Sequence, residues 1–273
     1  MIAIRYVWHD CFAVYMRDAT FVFDYWLGPD GTADASRLLD SIDASLPLYV
    51  LVSHSHKDHY NPDIFAWASR FPRIRYVVSS DVWKRMRHIV SPTSVYKGPR
   101  PDPSAVTVLR PGEIFCDDTV RVAAFPSTDT GNSYIADCGG MRIFHAGDLN
   151  AWIWLDESSP QEVRKAMGDF HACLRDIRRY IETSPKPDSG ADIDFCFFPV
   201  DSRIGRDYFT GAAEITIAFN ISRFFPMHFA LGDADERRQR RADALRFDLY
   251  ANRERGEYIP LANPWHLYVC CTQ

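Results

Sequence analysis

The chain has 273 residues, 47% of them hydrophobic, which is enough to bury a sizeable core as a single domain spanning 1–273. Its formal net charge is −5 with both signs interspersed, so it carries no basic field of the kind that favours nucleic acid. Seven cysteines without C-x-x-C spacing read as reduced thiols, no apolar run reaches the length of a membrane span, and the first residues read as a strand rather than a signal peptide, so a cytoplasmic protein is expected.

Along the chain, short strands are predicted at Ile2–Trp8, Phe12–Met16 and Thr20–Phe23, then a short helix over Ala35–Ile42. Leu48–Val52 is an apolar, β-branched run and reads as a buried strand. Asn61-Pro62 opens a helix, with Asn as N-cap and Pro at the first helical position, continued by Ile64–Phe71. A strand at Ile74–Ser79 and a helix at Asp81–His88 follow. The pattern then turns β-rich, with strands at Val106–Leu109, Ile114–Cys116, Val120–Phe125, Ser133–Asp137 and Met141–His145. Ser159–Thr183 fits one long amphipathic helix, with Val163, Met167, Phe170, Leu174, Ile177 and Ile181 on one face. A strand at Phe195–Phe198, a helix at Gly211–Ile221, a strand at Phe224–Met227, a charged helix at Asp233–Asn252 and a strand at His266–Cys270 close the chain. Strands followed by helices, once in each half, suggest an α/β protein with two sheets between helices.

The loop between the Leu48–Val52 strand and the Asn61-capped helix carries His54, His56, Asp58 and His59, four potential metal ligands within six positions. Neutral imidazoles suit zinc, iron and manganese, and a neighbouring carboxylate adds charge and a bridging option. Ligation also keeps three crowded histidines neutral. The competing account is a surface loop that happens to be rich in histidine.

The spacing His-x-His-x-Asp-His resembles the signature of the metallo-β-lactamase superfamily. That resemblance covers essentially the whole chain and implies a four-layer αβ/βα sandwich with metals at one edge between the sheets. It implies one or two divalent cations, zinc first, with manganese or iron as alternatives. It makes Asp148, in the Gly147-Asp148 turn after Phe144-His145, the bridging ligand. His228, at the end of Phe225-Pro226-Met227, completes the second metal's set with Asp58 and His59. The superfamily normally supplies a further histidine before Gly147-Asp148, and this chain has none between His88 and His145. Asp129 is the nearest substitute for it; otherwise it caps a turn before Gly131-Asn132.

Other residues carry two readings each. His145 is a candidate acid for the leaving group or a group supporting the ligands. Asp201 and Arg203 offer an anion-binding pair, or only an ion pair with each other. Trp152 and Trp154 roof a pocket with the following helix as lid, or pack beneath it. His9 and Asp24 are candidates for a pair that orients the metal loop. Arg237, Arg238, Arg240 and Arg241, set among acidic residues, read as a solvated helix face.

The segments around Ser127–Ser133, His145–Trp152 and Phe198–Arg203 are similar to a bacterial branch of metallo-hydrolases. That branch is itself broadly similar to the ascorbate-phosphate lactonase and N-acyl-phosphatidylethanolamine phospholipase groups. The implied reaction is hydrolysis of a small, anionic or neutral ester, lactone, amide or phosphoester by a metal-bound hydroxide, with Asp58 and Asp148 orienting it. The lack of a basic surface speaks against the nuclease branches, and no thiol-conjugate feature points to a glyoxalase II-like thioesterase. A flavin-linked diiron protein would carry glutamate in place of His56 and a longer chain. A metal-dependent binding or regulatory protein without turnover is the alternative from another class. Substrate and oligomeric state stay open.

Overall fold

The computed structural model describes residues 1–28, 35–91, 93–246, 256–261 and 263–270. Side-chain alternation decides its architecture. In Ile2–Trp8 (β1), Ile4 and Tyr6 face one core and Val7 the other; in Leu48–Val52 (β4), Tyr49 and Leu51 face the first and Val50 and Val52 the second. A strand apolar on both faces must be covered on both, and here a second sheet lies on one side and helices on the other.

The first sheet also contains Cys11–Tyr15 (β2), Thr20–Phe23 (β3), Ile74–Ser79 (β5), Val106–Leu109 (β6) and Leu267–Cys270 (β14), in the order β14-β1-β2-β3-β4-β5-β6. The second contains Ile114–Cys116 (β7), Val120–Pro126 (β8), Asn132–Cys138 (β9), Met141–His145 (β10), Ile193–Pro199 (β11), Ile221–Met227 (β12) and Glu257–Tyr258 (β13), in the order β13-β12-β11-β10-β9-β8-β7. Strands β3 to β6 run parallel, as do β10 to β13, and the outer pairs are antiparallel. Helices α1 (Ala35–Leu39) and α2 (Ser80–Val90), with a 3-10 helix at Pro62–Ser69, cover the outer face of the first sheet through Leu38, Ile64, Phe65, Trp67, Val82 and Met86. Helices α3 (Pro160–Thr183) and α4 (Thr210–Ala218) lie against β8 and β11 of the second sheet. The four layers expected from the family resemblance are present.

Differences from the sequence reading are local. Asn61 caps as expected, accepting from the Asp63 amide, but the helix it opens is 3-10. The helix expected to reach Ile221 ends at Ala218, and Ile221 begins β12, because Phe219 is already extended. Strand β11 starts earlier than its apolar run suggests, since it includes Asp194, which is fully buried. The charged helix α5 spans Ala234–Arg246, and the rest of its expected range, 247–252, lies outside the described residues. The two-residue β13 carried no readable signal. Helix α3 has the expected start, with Pro160 at its first turn and a reciprocal capping box between Ser159 and Glu162.

Parallel strands end together, and here the C-terminal ends of β3, β4, β10, β11 and β12 meet the β1–β2 and β8–β9 turns at one edge of the sandwich. Open α/β sheets place ligand sites at such an edge. All the candidate ligands are found there.

Candidate metal centre

The loop after β4 is held from beneath by Asp24, which follows β3. Asp24 accepts from the Ser53 amide (2.7 Å), the Ser53 hydroxyl (2.6 Å) and His59 Nδ1 (2.8 Å). Two glycines let other loops close onto the same point. At Gly131 (φ +71°), a Cβ would lie 2.1 Å from the Ser53 carbonyl oxygen; at Gly147 (φ +53°), it would lie 2.7 Å from Ser53 Cβ. The Gly131 loop carries Asp129, and the Gly147 turn carries Asp148. A bulge in the β1–β2 pairing brings the His9-Asp10 turn to the same place. His9, Asp24 and His228 are three of the five described non-glycine residues with left-handed backbone, a strain that concentrates at functional sites.

The donor atoms form two groups. In one, His54, His56, Asp129 and Asp148 have ligand atoms within 4.8 Å of one another. His54 Nε2 lies 2.9 Å from His56 Nδ1 and 3.2 Å from Asp148 Oδ2, and His56 Nδ1 lies 3.9 Å from Asp129 Oδ2. In the other, His9, Asp10, His59 and His228 meet the same limit. Asp148 Oδ1 is 3.1 Å from both His59 Nε2 and His228 Nε2. The two oxygens of one carboxylate therefore face two histidine sets. Asp58 sits at the rim of the second group, its Oδ2 3.7 Å from His9 Nε2 and 4.0 Å from His59 Nε2.

Asp10 was not foreseen. It follows a singled-out histidine, but no spacing marks a lone Asp in a hairpin turn as a ligand. Its Oδ2 lies 3.2 Å from His59 Nε2, and the residue is fully buried.

The electrostatics fit a cation. Asp10, Asp24, Asp148 and Asp201 are all buried together, and buried carboxylates need compensation. Burial pushes Asp10 up to about 8. Burial would raise Asp148 too, but the imidazoles of His59 and His228 hold it well below the usual carboxylate range. Conversely, burial would depress His59 and His228, yet Asp148 and Asp10 lift both well above an ordinary histidine. Several inward atoms have no hydrogen-bond partner: His9 Nε2, both Asp10 oxygens, His59 Nε2 and Asp148 Oδ1. Buried polar atoms are rarely left unpaired, and this set of nitrogens and carboxylate oxygens is the chemistry of a divalent metal site.

Several expected roles change. His145 is fully buried, with Nε2 2.9 Å from the Asp10 carbonyl and Nδ1 accepting from the Gly147 amide at 3.2 Å. Both ring nitrogens are engaged with backbone, so it supports two ligand-bearing turns and offers no free nitrogen to a leaving group. Asp24 pairs with His59, whereas His9 Nδ1 accepts from the Ala230 amide, so the expected His9–Asp24 pair is replaced. Arg203 Nε lies 2.7 Å from Asp201 Oδ2, and that same oxygen is 2.9 Å from His228 Nδ1, so Asp201 joins the guanidinium to a histidine of the second group. Trp152 lies beside His228, ring centroids 5.6 Å apart, and its indole N–H donates to the Asp148 carbonyl (2.9 Å). Helix α3 is a core element through Phe170, Leu174 and Ile177 rather than a lid. Within α5, Arg238 and Arg240 pair with Asp235 and Glu236, as a solvated face does.

The family model described as the β-lactamase superfamily domain matches residues 19–229, and the chain belongs to that family. Solved structures share its fold at low identity. Igni18, described as a novel metallo hydrolase from the hyperthermophilic archaeon Ignicoccus hospitalis, is 14% identical with a TM-score of 0.61, over 100% of this chain and 99% of that one. YhfI of Bacillus subtilis, a metallo-β-lactamase fold protein, is 12% identical with a TM-score of 0.54, over 98% of each chain. CmlA of Streptomyces venezuelae, a diiron β-hydroxylase, is 14% identical with a TM-score of 0.59, over 98% of this chain and 54% of that one. No curated protein matches the sequence. Among the described residues, no helix is long and apolar enough to cross a membrane.

Proposed function

We propose that this protein is a metal-dependent hydrolase of a small ester, lactone, amide or phosphoester. The observation that carries this reading is the convergence of nitrogens and carboxylate oxygens on both sides of Asp148, buried and unpaired on its Oδ1 side and partly exposed at His56 and Asp129 on the other. His54, His56, Asp129 and Asp148 would hold one divalent cation; Asp148, His59 and His228 would share in holding a second, with Asp58 at its rim. When bound, such cations supply Lewis acidity and bring the pKa of water toward neutrality. The chain's own groups do the rest. Asp58, the more accessible of the inner carboxylates with its side chain 16% exposed, would orient a water. Arg203, held beside His228 by Asp201, offers positive charge to an anionic part of a substrate.

The first group contains two imidazoles and two carboxylates in place of three imidazoles. Oxygen donors suit manganese and iron better than a histidine-only set does, so zinc, manganese and iron all belong in the assay. The test is metal analysis of the purified protein, followed by a panel of chromogenic esters, lactones and phosphodiesters with each metal. We expect turnover of at least one class, abolished in folded His56→Ala and Asp148→Ala. Full metal occupancy without turnover on any class would favour a metal-dependent binding role.

A further inference from the structure

The four inward histidines near Asp148 differ in which ring nitrogen carries the proton, and the backbone settles one of them. A carboxylate only accepts, so His59 Nδ1, 2.8 Å from Asp24, bears a hydrogen, and the neutral ring has its lone pair at Nε2. His228 does the same against Asp201 at 2.9 Å, with Arg203 farther away at 3.3 Å and bound to the same carboxylate. The Ser53 hydroxyl donates to Asp24, so its oxygen accepts from His54 Nδ1 at 3.0 Å, again freeing Nε2. His9 is the reverse. Its Nδ1 faces the Ala230 amide at 3.1 Å, and an amide N–H can only donate. Neutral His9 therefore carries its hydrogen on Nε2, the atom that points into the centre.

That Nε2 is buried and without a hydrogen-bond partner, 3.8 Å from Asp10 Oδ2 and 3.7 Å from Asp58 Oδ2. An N–H facing two carboxylates has no lone pair for a metal. Asp10 has the opposite character. Both its oxygens lack partners, and Oδ2 faces His59 Nε2 at 3.2 Å and His228 Nε2 at 3.8 Å, the two nitrogens that carry the lone pair when these rings are neutral. Its carbonyl is tied down by His145 Nε2 at 2.9 Å, and the preceding residue, His9, has a left-handed backbone (φ +54°), so the turn is built to aim this carboxylate inward.

We propose that Asp10 is a metal ligand of the second position, with His59, His228 and Asp148, and that His9 is a positioning residue whose Nε2–H faces the Asp10 and Asp58 carboxylates and offers them partial positive charge. This rests on the metal-centre reading above and refines it: of the two residues in the β1–β2 turn, the histidine is excluded from coordination and the aspartate is included. The second position is then richer in carboxylate than the histidine count suggests.

Two measurements test it. The first is the proton position in each ring, read from long-range proton–nitrogen spectra of zinc-loaded protein labelled with 15N-histidine. The His9 signals are assigned by their loss in His9→Phe or, if that variant does not fold, in His9→Gln. We expect hydrogen on Nε2 of His9 and on Nδ1 of His59 and His228. The second is zinc per folded chain after dialysis. Asp10→Asn should lose the zinc of the second position, and His9→Gln, which keeps an N–H donor near the same place, should retain wild-type zinc. Hydrogen on Nδ1 of His9, loss of zinc in His9→Gln equal to that in Asp10→Asn, or full zinc retention in Asp10→Asn would each overturn the proposal. A wild-type chain that binds no divalent cation would sink the metal reading and the Asp10 assignment together, whereas the ring spectra of the metal-free chain would still decide His9 on their own.

Discussion

Asp24 holds the metal loop at two points, since it binds Ser53 at the loop's start and His59 near its end. Carboxylates that orient a ligating histidine are worth roughly 10- to 100-fold in metal affinity. Asp24→Asn is therefore expected to weaken metal binding by about that factor while the protein stays folded, as read by competition with a chromophoric chelator. Unchanged affinity would mean that His59 is oriented by something else. The elevated affinity of His59 and His228 for protons has its own consequence. Their facing carboxylates raise the pKa of both rings well above the ordinary histidine range in the metal-free chain, against the effect of burial. A cation must displace those protons. Metal uptake near neutral pH should release protons, seen as a dependence of the calorimetric heat on buffer ionisation enthalpy, and affinity should fall as the pH is lowered. Heats independent of the buffer would contradict this.

At the scale of elements, the site depends on loops approaching the end of β4 more closely than a side chain allows. A Cβ at Gly131 would press on the Ser53 carbonyl and on His54 Cβ, 2.1 and 2.5 Å away, and neither is the free end of a flexible chain. The residue also has a left-handed φ of +71°. Gly131→Ala should cost about 1–3 kcal/mol in denaturant titration and should lower metal content, because the loop carrying Asp129 cannot close on His56. A variant with wild-type stability and metal content would show that the loop can shift without affecting the site. Strand ends make the same point from the other side. Because β10, β11 and β12 are parallel, the Asp148 turn, Asp201 and His228 are delivered to one edge at successive positions across the sheet.

For the whole molecule, the centre joins the two sheets. His9, Asp10, Asp24 and the His54–His59 loop come from the first sheet, whereas Asp129, Asp148, Asp201 and His228 come from the second. A cation binding across that seam stabilises the folded chain by mass action, about 2.7 kcal/mol when free metal is 100-fold above its dissociation constant. Chelation should therefore lower the thermal midpoint, and added metal should restore it in a concentration-dependent way. A midpoint indifferent to chelator would argue that the sheets are held by their apolar core alone.

The sequence by itself determined the layered α/β arrangement, the apolar strand β4, the capped helix beyond it and the cluster of His54, His56, Asp58 and His59. These are local properties: period, propensity and ligands within six positions of one loop can be read without knowing what lies opposite. The family resemblance extended that reading to Asp129, Asp148 and His228, which the structure places around the same cluster. Only the tertiary structure decided the rest. Asp10 enters through a hairpin turn, His145 binds a carbonyl 135 residues away, and the Ala230 amide that sets the His9 ring lies 221 residues from it. Which nitrogen of a buried histidine is free is a property of the group packed against its other side. No pattern along the chain records that packing, because it is created only when the two sheets close.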